Sequence, residues 1–295
     1  MTALISLLSL LVVMLIGVII SIPFFGTDIF SYLTSSNSDF SPANVNFLKY
    51  LQIIQSIGLF IIPSIILAYF FGNNVSKYLK IDTLPYPQGI ILATSIIIIA
   101  SPLINVIGEL NSKMLMPEFL SGVEKWMRES EDAAGEITKL FVNTTTIPGL
   151  LVNILMIGII PAIGEELLFR GIIQRIFTEW FKSYHWGIWI SAILFSALHL
   201  QFYGFFPRLI LGASFGYLLA WSGNLWFPVI AHFINNTIAV FAYYFYNKGI
   251  INVDPDQIGT NSEYQIIALI SFIIVIFLFW AFHQVDKNLR IKYKS

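Results

Sequence analysis

Apolar residues come in long blocks, and polar residues are confined to short stretches between them. Eight such runs are legible, at Leu4–Phe25, Tyr50–Phe71, Gly89–Ile107, Ile147–Ile176, Trp186–Leu200, Phe205–Trp221, Leu225–Phe245 and Gln265–Phe282. At helical rise about 20 residues match the hydrocarbon thickness of a bilayer. Open sheet edges cannot sit in lipid, and the runs lack the alternation of a membrane barrel. The expected fold is all-α: a polytopic bundle of about eight transmembrane helices, forming a single transmembrane domain over 1–295. No Lys or Arg precedes the first run and no small-residue cleavage pattern follows it, so it reads as a retained helix.

Composition narrows the function. Hydrophobic residues make up 57% of the 295 and charged residues 11%, against about 25% charged in soluble domains. A net charge of −1 gives no basic surface, so nucleic acid is not an expected partner. The absence of cysteine excludes disulfides, thiolate zinc sites and cysteine-protease chemistry.

Loop charge sets the orientation. Lys77, Lys80, Arg175 and Lys182 occupy short even-numbered loops, and Lys287, Arg290, Lys292 and Lys294 the tail. Odd-numbered loops carry Asp28, Asp39, Asp254, Asp256 and Glu263, with a mixed third loop. Both termini are therefore expected in the cytoplasm, in a cell inner membrane, with 109–146 an extracytoplasmic loop. Within that loop Phe119, Val123, Trp126 and Met127 recur at helical spacing after Pro117. This predicts an amphipathic helix on the outer surface, with substrate gating as an alternative.

Ionisable groups inside membrane spans are functional candidates by default. They fall here on three runs: Glu165, Glu166 and Arg170 on the fourth, His199 on the fifth, and His232, Asn235 and Asn236 on the seventh. Glu166 and Arg170 are four apart and share a helix face, which predicts a bracing ion pair. Glu165 is rotated by about 100° and is free to act as a base. At helical rise, Glu165, His199 and His232 fall at depths that let them meet in one cavity, expected to open to the cytoplasm. Arg208 opens the sixth run and reads as snorkelling. Ser214 and Gly216 read as small residues at a helix contact. H-E-x-x-H and phosphate-binding glycine loops are absent.

The set E-E-x-x-x-R (Glu165, Glu166, Arg170), F-x-x-x-H (Phe195, His199) and H-x-x-x-N (His232, Asn236) resembles the CAAX protease and bacteriocin-processing (CPBP/Abi) family. That family is related to the type II CAAX prenyl endopeptidases. The resemblance covers a core of about 147–245. It implies peptide-bond hydrolysis of a membrane-associated or CAAX-like protein or peptide by an intramembrane protease. Glu165 and His199 would activate water, and His232 and Asn236 would stabilise the oxyanion. Glu166, Arg170, Phe195 and Asn235 would support them. The cofactor is either none or zinc; a zinc ion would take Glu165, His199 and His232. Alternatives are a non-catalytic scaffold or bacteriocin-immunity protein of the same fold, and a proton-coupled transporter. In each case the partners are the lipid bilayer and, for the enzyme, the substrate.

Overall fold

The structure, a computed structural model, describes residues 1–27, 42–255 and 264–292. Asp28, Asp39, Asp256, Glu263 and Lys294, which entered the charge argument, lie outside the described residues.

All eight apolar runs fold as helix, and no strand occurs among the described residues. The first is α1 (Thr2–Phe25). The second comprises α2 (Pro42–Ser56), a π-helical turn at Ile57–Ile61 and α3 (Ile62–Phe71), followed by the short α4 (Val75–Tyr78). The third is α5 (Pro87–Ser112). The polar insert forms α6 (Ser121–Val142) after a 3₁₀ turn at Glu118–Leu120. The fourth run is composite: α7 (Ile147–Asn153), a π segment Ile154–Ile159, α8 (Ile160–Glu165), a second π segment Glu166–Ile173, and α9 (Gln174–Phe181). Then come α10 (Tyr184–Ala197), α11 (Phe205–Ser222), α12 (Trp226–Asn247) and α13 (Tyr264–Lys292).

Six helices among the described residues, rather than eight, are long and apolar enough to cross a membrane. The shortfall lies in α10 and α12. Helix α10 has only 14 residues, about 21 Å of rise. Helix α12 has 22, but His232, Asn235, Asn236 and Asn247 dilute its apolarity. These two helices supply much of the candidate site, so its polarity is bought with weaker membrane signals.

In α1 burial is inverted relative to a soluble protein. The buried positions are Ser6, Ser9, Gly17 and Ser21, while Leu4, Leu8, Leu11 and Leu15 are exposed. Small residues let backbones approach, and the leucines face outward where lipid replaces water. Tyr50 donates to the Gly17 carbonyl at 2.8 Å, tying α2 to α1. Helix α13 packs along α5, with Ser271 donating to the Ile99 carbonyl.

The two ends of the bundle are separately knitted. At one end Leu225 N–H donates to Lys80 O, and Arg175 reaches the Tyr78 carbonyl. At the other, Asn111 donates to Phe202 O and Asn247 to Val142 O. Helix α6 lies across this second end. Glu131 accepts from the Tyr203 N–H, Trp126 packs on Phe202, and Arg128 stands 4.6 Å over the Tyr203 ring.

Candidate active site

The fourth run places its carboxylates where its helix is irregular. Two π segments flank α8, and single-turn π insertions in helices concentrate at functional sites. Pro161 has no N–H to return to the Ile157 carbonyl four residues back. Asn236 takes that acceptor instead, donating from Nδ2 at 2.9 Å. Asn235 donates in turn to Asn236 Oδ1 at 3.1 Å. The amide of Asn236 is thereby fixed, with one Nδ2–H left over.

Glu166 is fully buried, and its Oε1 accepts from two sides. Arg170 Nη1 stands 2.8 Å away and His232 Nδ1 also 2.8 Å. The ion pair expected from the i,i+4 spacing is present; the histidine contact was not foreseen. Arg170 also donates to Gly212 O and lies over the Phe195 and Phe215 rings. Two glycines of α11 make room: a β-carbon at Gly212 would stand 3.2 Å from Arg170 Nη2, and one at Gly216 2.8 Å from Gln174 Oε1. Gly216 is thus a helix contact, as expected. Ser214 bonds within its own helix, to Ile210 O.

A carboxylate only accepts, so His232 donates from Nδ1 and turns Nε2 to Glu165 Oε2, 3.8 Å away. Phe215 stacks on the ring at 5.1 Å. His199 lies just beyond the end of α10. Its Nδ1 donates to the Phe195 carbonyl at 2.7 Å, which leaves the Nε2 lone pair free in the neutral ring.

Glu165, His199, His232, Asn235, Asn236 and Phe195 line one cavity of about 490 Å³. Glu166 and Arg170 stand behind it, and Arg170 borders a separate cavity with Lys77, Lys80 and Arg175. Among the described residues, no three of His, Cys, Asp and Glu gather into a set that could hold a metal ion. The zinc set Glu165, His199 and His232 is therefore not assembled in this arrangement.

Three expectations need correction. The cavity does not lie toward the end bearing Lys77, Lys80, Arg175 and Lys182. It lies at the α6 end, because α10 stops at Ala197 and delivers His199 there. Helix α6 does not merely rest on the outer surface: Ala134, Ile137, Thr138 and Phe141 line the cavity. Arg208 does not snorkel; it lines the same cavity, held by Gln201. Sequence reading also missed Lys49, buried and donating to Asn153 Oδ1 at 2.8 Å. It stands just ahead of the second apolar run, Tyr50–Phe71.

With this geometry in hand, the relatives are informative. Residues 147–238 match the family described as type II CAAX prenyl endopeptidase Rce1-like. The likeness is that of this core, 147–238, to that family. That core contains every motif residue from Glu165 to Asn236 and falls within the stretch expected to hold the site. An uncharacterized protein, YpbD, of Bacillus subtilis strain 168 is 32% identical over 124 residues, 41% of this chain and 58% of that one. An uncharacterized 24.3 kDa protein of Escherichia coli is 31% identical over 35% of this chain and 49% of its own. "Putative membrane peptidase YdiL" of Bacillus subtilis strain 168 is 30% identical over 30% of this chain and 35% of its own. The chain thus spans from about a third to under two thirds of the curated relatives it matches. No solved structure matches it.

Proposed function

We propose that this chain is an intramembrane endopeptidase that hydrolyses a peptide bond of a membrane-associated protein or peptide. One observation carries the reading: Glu165, His199, His232 and Asn236, from three separate runs, line a single cavity. The Rce1-like core is its second support.

His199 holds a water through its free Nε2, and Glu165 takes that water's proton as the water oxygen bonds to the scissile carbonyl carbon; when the C–N bond breaks, the proton passes from Glu165 to the leaving amine. The spare Nδ2–H of Asn236 donates to the oxyanion as it forms. His232 adds a second donor through Nε2–H when its ring is doubly protonated. Glu166 orients His232 from behind and balances Arg170. No step runs through a metal.

The short-loop lysines and arginines orient the chain with both termini cytoplasmic. Because the cavity lies at the α6 end, this orientation turns its mouth to the extracytoplasmic side, where α6 covers it. The whole chain acts as one transmembrane domain. The test compares membrane proteomes from cells carrying the wild type and Glu165→Gln. A precursor should accumulate with the variant, and its trimmed form should appear only with the wild type. Identical peptide termini in the two samples would refute the assignment.

A further inference from the structure

Arg208 has no part in the chemistry above, yet it lines the same cavity. Two of its five N–H donors are taken, by Gln201 Oε1 at 2.8 Å and the Gln201 carbonyl at 2.9 Å. Its Nε is buried without a partner. No carboxylate among the described residues pairs with it directly; Glu131 and Glu165 act on it only at longer range.

The surrounding chain is shaped to hold this group. Leu200 adopts a left-handed backbone, φ 53°, which non-glycine residues seldom take. It turns the chain so that Gln201 follows His199 against α11. Gly204 leaves the guanidinium its place, since a β-carbon there would collide with Arg208 Nη2. Arg208 precedes Phe215, the ring stacked on His232, by seven residues, about 10 Å along the helix. An extended peptide covers that distance in about three residues.

A guanidinium fixed by a neutral amide, with donors to spare, is a fork for a planar anion. We infer that Arg208, positioned by Gln201, is a specificity residue that binds a carboxylate of the substrate a few residues from the scissile bond. This rests on the endopeptidase reading. The carboxylate is either the substrate's C-terminus or an acidic side chain.

The test uses the full chain carrying Glu165→Gln in lipid nanodiscs, so that peptide is bound without being cut. Tryptophan fluorescence is titrated with three probes: acetyl-Phe-Leu-Ile-Ala as the free acid, the same peptide as its C-terminal amide, and the amide with Glu in place of Ile. The amide should bind about ten- to hundredfold more weakly than the acid, the range for hydrogen bonds to a charged group. If the Glu-containing amide recovers the loss, the subsite takes a side chain; if it does not, it takes the C-terminus. Arg208→Gln and Gly204→Ala should each close the acid–amide gap. The second variant keeps the charge and only displaces it. Equal binding of acid and both amides, binding of none, or a gap that survives both variants would overturn the inference. Cleavage does not enter this readout. Absence of the gap in the Glu165→Gln parent, or its survival in both further variants, therefore counts against the Arg208 inference alone, whereas failure of the wild type to cut any membrane substrate counts against the endopeptidase reading.

Discussion

Glu166 has no exposed surface and holds two partners, Arg170 and His232. Removing its charge strands a buried guanidinium. Breaking such a pair costs about 3–5 kcal/mol, so Glu166→Gln should lower the unfolding temperature of the purified protein well below that of Glu165→Gln. Equal thermal stability of the two variants would show that Glu166 is not the brace. Asn236 makes a different prediction. If its spare N–H meets only the oxyanion, Asn236→Ala should cut kcat by about 10²–10³ while KM stays nearly unchanged. A rise in KM with kcat kept would place Asn236 in substrate binding instead. The Glu166–Arg170 pair was legible in the sequence because i,i+4 spacing is a property of one helix. The His232–Glu166 bond joins different helices, and spacing along the chain carries no signal for it. Arg208 was misread for a related reason: a basic residue near a helix end looks the same whether it reaches toward water or toward a cavity.

At the scale of elements, the apolar runs located every long helix except α6, because continuous apolarity is what a bilayer demands of a span. The π segments were not legible. They change hydrogen-bond register without changing composition. The placement of α6 was hidden too, since an amphipathic face suits a membrane surface and a cavity roof equally. Helix α6 is seated through the Glu131–Tyr203 bond, the Arg128–Tyr203 and Trp126–Phe202 contacts, and buried Met127, Phe141 and Val142. Glu131→Ala removes the acceptor of the Tyr203 N–H, a loss of about 1 kcal/mol. Hydrogen exchange in 121–142 should speed up while the apolar bundle keeps its protection; unchanged exchange would mean that other contacts seat the helix. Acid should loosen the start of α6 in the same way. The Arg128 guanidinium, with the Met116 N–H, holds the Glu124 carboxyl below its ordinary range. Its contribution is therefore present above the ordinary carboxylate pKa and is lost as pH falls through the lowered one.

For the whole molecule, the cavity's place at the α6 end turns orientation into a statement about where substrate is met. Reporter fusions at Asp132 and Lys294 should lie on opposite sides of the membrane, with Asp132 outside. Finding Asp132 in the cytoplasm would turn the cavity to the cytoplasmic side and invert the charge-based orientation. Sequence alone could not raise this point, because it depends on α10 being too short to keep His199 within the helix. The central claim is that four side chains gathered from three runs hydrolyse a peptide bond. Its most direct measurement is cleavage of the accumulating precursor by purified protein in nanodiscs, with wild type and Glu165→Gln compared at matched folding. The expected result is a single new terminus with the wild type and none with the variant. Cleavage by Glu165→Gln at the wild-type rate would contradict it.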